Sequence, residues 1–194
     1  MTAFFMRYCK KTNAALALLL TFCLISLAWA TASSLHIKTA ELSATEETYL
    51  LNADFEVNFS SEVEEALNKG VPLNFLIEFQ VVSPQKYWFD DEIVTKTSHV
   101  TLSYHALSRQ FLINRNNHQQ SLATLQEAKE ELSHLHQWPV LEKSLLKKGE
   151  TYRAALRIRL DQSKLPKPLQ VDALSSEDWN MVSERYLWTP VISF

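Results

Sequence analysis

The sequence predicts a mainly β protein of the α+β kind, an antiparallel sandwich of about seven strands with two short inserted helices. Three observations carry that expectation. Long stretches alternate apolar and polar residues with a period of two, which turns one strand face to a core and the other to water. Only two short stretches join a helix-start signature to apolar residues at helical spacing. Both cysteines, Cys9 and Cys23, fall in an N-terminal leader, so the remaining chain has no disulfide and relies on its core.

The leader comes first. Arg7, Lys10 and Lys11 precede the uncharged run "AALALLLTFCLISLAWA", and Ala28-Trp29-Ala30 and Ala30-Thr31-Ala32 follow as small-x-small sites. That order describes a secretory signal peptide over residues 1–32, leaving 33–194 as a single β-rich domain in the periplasm. The run is close to the ~17-residue lower limit for crossing a bilayer. An uncleaved N-terminal anchor in the inner membrane is therefore the alternative. No Cys follows the run, so a lipid-modified N-terminus is not expected. Without the three basic residues of the leader, 16 basic side chains face 22 acidic ones, a net charge of −6. An acidic exported domain is a poor partner for nucleic acid, and strong membrane binding after cleavage is not expected either.

In "YLLNADFEVNF" Tyr49, Leu51, Ala53, Phe55, Val57 and Phe59 share one parity, the pattern of a half-buried strand. A short helix "SEVEEALNKG" follows, with Ser61 as N-cap and Glu64 completing a capping box, and Gly70 takes the left-handed position after its end. "LNFLIEFQVV" carries Leu73, Phe75, Ile77, Phe79 and Val81 on one face. Leu76 and Val82 on the other suggest a central strand covered on both sides. "HVTLSY" and "FLINR" flank the turn "HALSRQ". Thr124 and Glu127 form a second capping box, opening the helix "LQEAKEELSHLHQ", with Leu125, Ala128, Leu132 and Leu135 as its stripe and Pro139 closing it. Gly149 turns the chain into the strand Tyr152–Leu160. Pro166 and Pro168 argue for an extended edge or crossing segment in "LPKPLQVDAL", and "WNMVSERYLWTPVISF" reads as a less regular last strand.

The stretches "LNADFEVNFSSEVEEALNKGVPLNFLIEF", "LSYHALSRQFLI", "SLATLQEA" and "GETYRAALRIRLDQSKLPKPLQVDALSSEDWN" together resemble the domain of unknown function 4390 family. The resemblance runs from about Tyr49 to Trp188. It implies an exported proteobacterial protein, of a kind sometimes labelled proline-rich signal peptide protein, although this chain has only six prolines. The family brings no established activity. Its members are often encoded near a membrane sensor kinase of the nitrogen-regulation type, which implies an envelope protein, a sensor kinase among the candidates, as partner.

The chemistry on offer is sparse. The chain has two glycines, each with a local turn to make, so none remains for a phosphate-cradling loop or a nucleophile elbow. His134 and His136 lie two apart on the expected helix, where their side chains point about 200° apart and do not share a metal. His99 and His105 lie near strand ends and His118 in the polar turn "NNHQQ". Asp90, Asp91 and Glu92 lack the spacing and glycine of an EF-type loop and read as a solvated turn. No cofactor, metal or catalytic residue is expected.

Two surfaces are left as candidates for partner binding. Tyr87, Trp88 and Phe89 cannot all enter one side of a sheet, so at least one ring is expected outside the core unless a helix covers it. Arg153, Arg157 and Arg159 line one face of their strand, about 7 Å apart for neighbours two residues removed. They suit either a bidentate clamp on an anion or cross-strand pairing, with Asp161 as one partner, and the pairing is the more ordinary outcome. The expected function is thus an exported, non-catalytic module that binds an envelope protein. A small-ligand binder or enzyme, with its site in the sandwich mouth or under "PQKYWFDDE", is the alternative.

Overall fold

The computed structural model describes residues 32–85, 89–173 and 176–193. Residues 1–31, with both cysteines, and Tyr87 and Trp88 lie outside the described residues. Along the chain run β1 (Ser34–Ala44), β2 (Thr48–Asn58), α1 (Ser61–Asn68), β3 (Leu73–Ser83), β4 (Asp91–His105), β5 (Gln110–Arg115) and β6 (His118–Leu122). Then come α2 (Leu125–Ser133), β7 (His134–Glu142), β8 (Arg153–Leu160), α3 (Lys167–Ala173) and β9 (Tyr186–Trp188). The strands form two antiparallel sheets, ordered β1-β2-β7 and β6-β5-β4-β3-β8-β9. This is the expected mainly β sandwich, with nine described strands and three α helices rather than seven and two.

Parity decides what the sheets share. Tyr49, Leu51, Ala53, Phe55 and Val57 of β2 are buried, as are Leu73, Phe75, Ile77, Phe79 and Val81 of β3 and Ala154, Leu156, Ile158 and Leu160 of β8. All belong to one hydrophobic cluster with Val100 and Leu102 of β4 and Leu132 of α2. β3 is central, between β4 and β8. Its second face is not covered as expected: Leu76 is buried there, but Glu78, Gln80 and Val82 are only partly so.

Several elements differ from expectation, each for a physical reason. β1 escapes a parity reading because a register shift between Ile37 and Thr39 breaks the alternation, so Leu35 and Ala40 are both buried five residues apart. β6 is polar apart from its last residue, Leu122, and is held by the hairpin turn at Asn116 and Asn117, both with positive φ, so that His118 opens a strand rather than sitting in the turn. The N-cap of α1 is Ser60, not Ser61. Ser60 is extended and its hydroxyl accepts from the Val63 N–H at 3.4 Å. The end of α1 matches expectation: Gly70 has φ +91, and the Gly70 and Val71 amides donate back to Leu67 and Ala66.

α2 opens with the expected Thr124–Glu127 capping box but stops at Ser133. His134 is already extended, and the chain continues as β7 against β2, so Leu135 fills the core from a strand. Arg115 of β5 holds this boundary, donating from Nη1 to the His134 carbonyl at 2.8 Å and from Nη2 to the Glu131 carbonyl at 3.3 Å. Pro139 does not close a helix. It sits in β7, an edge strand, opposite Leu50 beside a register shift, where its missing N–H is tolerated. Pro168 likewise lies in the first turn of α3, a position that needs no backbone donor, so the extended reading of this segment is replaced by a helix. The C-terminal stretch contributes only β9 and a Val182–Arg159 bridge, preceded by the fully buried Trp179, whose Nε1 donates to Glu62 of α1 at 2.7 Å.

Candidate interaction surfaces

The outer face of the six-stranded sheet carries the predicted arginines. Register places Arg157 of β8 opposite Glu78 of β3, and Arg153 opposite Val82 toward the strand's other end. Arg157 donates from Nε and Nη2 to Glu78 Oε2 at 2.9 and 2.6 Å, and Arg159 Nη2 approaches Oε1 at 3.5 Å. Burial pushes the Glu78 carboxyl up, but the Arg157 hydrogen bonds and the two guanidinium charges outweigh it and hold the group below its ordinary range. Asp161 takes no part in this pairing, contrary to expectation. It accepts from Ser163 and caps the turn after β8.

Arg185 extends the network by donating to Gln80, whose Nε2 donates to Glu92 at 3.0 Å. Glu78, Gln80, Thr95, Thr97, Arg157 and Arg185 line a shallow cleft of about 220 Å³. Within it Arg157 is already held by Glu78, and Arg185 by the neutral Gln80. Arg153 is exposed and forms no ion pair among the described residues.

The other predicted site lies where β3 turns into β4. Ser83 pairs with Asp91 and Val82 with both Glu92 and Arg153, so this hairpin and Arg153 share one end of the sheet. Phe89 is 94 % exposed. The acidic residues fold back on the hairpin: the Gln85 N–H donates to Asp90 at 3.3 Å and its side chain to Asp91 at 3.0 Å. Tyr87 and Trp88 lie outside the described residues.

β4 starts at Asp91, eight residues before the expected His99, and β5 pairs with it only from Val100 onward. Among the described residues no strand covers the edge of β4 from Asp91 to His99 on the side away from β3. Thr95, Lys96 and Thr97 are exposed one after another, so both faces of the strand are wet there. That is why alternation fails to reveal it. The β-branched run Ile93, Val94, Thr95 is the signal that marks a strand.

The histidines also move. Because residue 134 begins a strand, His134 and His136 share a face instead of pointing apart, and their rings stack at 5.6 Å and 14°. Among the described residues no three His, Cys, Asp or Glu side chains are grouped to hold a metal ion. No described helix is long and apolar enough to cross a membrane.

The profile of a family described as a domain of unknown function, DUF4390, matches residues 32–189. No curated protein and no solved structure matches the chain.

Proposed function

The chain belongs to the DUF4390 family, and from that premise we propose that it is an exported, non-catalytic module that binds a protein of the cell envelope through the β3–β4 hairpin and the open edge of β4. The observation that carries this reading is Phe89, a large apolar ring 94 % exposed at the start of an unpaired strand edge. An open edge accepts an extended segment of a partner through main-chain hydrogen bonds, while a neighbouring ring fills a pocket and supplies affinity. Lys96 in the middle of the edge disfavours pairing between copies of this chain, because two lysines would meet. Tyr87 and Trp88, adjacent in sequence, and Arg153 at the same end of the sheet extend the contact. Arg157 and Arg159 support it from Glu78. The basic, apolar and small-x-small order of residues 1–32 supports export by a signal peptide, and the gene neighbourhood implied by the family makes a membrane sensor kinase a candidate partner.

Capture from a crosslinked envelope tests the surface. Phe89→Ala is expected to weaken capture of the partner roughly thirtyfold, as loss of a ~2 kcal/mol anchor does, with an unchanged melting curve because the ring is solvated. A folded Phe89→Ala protein that captures every wild-type partner with full affinity overturns the proposal.

A further inference from the structure

We propose that His134 and His136 form a transition-metal site on the outer face of the three-stranded sheet, with Asp54 as the carboxylate that orients His134. β7 sets the two imidazoles on one strand face, nearly parallel. The site ends at a bulge. Gln137 has φ +51, and its N–H donates to Asn52 at 2.9 Å, which pins the backbone just after His136. His134 Nδ1 lies 2.8 Å from Asp54 Oδ1, and Asp54 Oδ2 accepts from the Thr39 hydroxyl at 2.8 Å.

The contact with Asp54 orients the ring: with its Nδ1 N–H donating to Asp54 Oδ1, His134 offers Nε2 as the ligating atom. A carboxylate on the far nitrogen is the arrangement that accompanies metal-bound histidine and raises its basicity.

Access and chemistry agree. The His134 side chain is half exposed, and clefts of about 490 and 240 Å³ meet at Thr39 and Asp54, which line both. Metal–nitrogen bonds of about 2.0–2.1 Å require the two Nε2 atoms to come within ~4 Å of one another, so the stacked rings tilt together by side-chain rotation. Water fills the remaining positions. Two imidazoles with an open remainder suit Cu²⁺, Ni²⁺ and Zn²⁺, with Cu²⁺ tightest, and not the oxygen-seeking Ca²⁺ or Mg²⁺.

Titration calorimetry of the untagged protein with CuCl₂, NiCl₂, ZnCl₂ and MgCl₂ at neutral pH is the test. Expected is one ion per chain for Cu²⁺, Ni²⁺ and Zn²⁺, none for Mg²⁺, and a loss of tenfold or more in affinity in His134→Ala and in His136→Ala. Asp54→Asn is expected to lose about tenfold as an orienting group, and His99→Ala nothing. In the wild-type chain, substoichiometric Cu²⁺ is expected to broaden the ring resonances of His134 and His136 before those of other histidines, a readout that does not depend on any variant folding. The absence of saturable Cu²⁺ binding, or binding that spares both rings and survives both alanine substitutions, overturns the site.

Discussion

Leu156 and Arg157 are neighbours in β8 with opposite fates, since Leu156 is fully buried and Arg157 lies on the wet face against Glu78. Leu156→Asp puts an unpaired charge into the core and is expected to cost more than ~4 kcal/mol in chemical denaturation. Arg157→Ala removes one of two cations on a partly exposed carboxylate and is expected to cost ~1 kcal/mol or less. The order of the two costs checks the parity of β8. A pH series checks the pair itself. The folded Glu78 carboxyl sits below its ordinary 4.5, so it contributes stability that is present above that value and lost as pH falls through the lowered folded value. Wild type is therefore expected to lose more stability than Arg157→Ala between about pH 6 and about pH 3. The alternation around Arg157 was readable in the chain; its partner was not, because Glu78 lies 79 positions away and only register brings it opposite.

At the scale of elements, α1 and the α2–β7 boundary show how far local signals reach. Ser60 and Ser61 both precede the helix, and either fits an N-cap by residue type. The structure selects Ser60, whose hydroxyl accepts from Val63 while its own N–H donates to the Ser33 hydroxyl at 2.8 Å. Ser60→Ala is expected to cost ~1 kcal/mol in denaturant and Ser61→Ala close to nothing. Equal costs would place the cap at neither residue. The capping box of α2 was legible because both of its partners are local. The end of α2 was not, since "SHLHQ" continues a helical pattern equally well. What stops it is pairing with β2 and the Arg115 guanidinium on its last carbonyls. The same boundary turns His134 and His136 onto one face. Their juxtaposition with Asp54 was therefore invisible to a reading that kept them on a helix.

For the whole molecule, one hydrophobic cluster joins both sheets, all three helices and the buried Trp179. Residues 32–194 contain no cysteine, so no disulfide assists that cluster. If the leader is an export signal, as proposed above, the intact mass of the exported protein is expected to begin after Ala30 or Ala32, in the soluble periplasmic fraction. A full-length species that stays with membranes instead identifies an N-terminal anchor. This measurement is independent of the partner and metal proposals, which concern surfaces of residues 32–193.

By itself the sequence determined the fold class, the buried parity of β2, β3 and β8, the cap of α2, the two glycine turns and the family. Each of these is written in neighbouring residues: a period of two, a serine or threonine three positions before a glutamate, a glycine where φ is positive. Only the tertiary structure decided where β1, β6 and β7 lie, which carboxylate the arginines hold, that β4 runs past its neighbour into an open edge, and that two histidines meet an aspartate. Those outcomes depend on register, bulges and long-range pairing. A one-residue shift in register changes which side chains face one another without altering any local pattern in the chain.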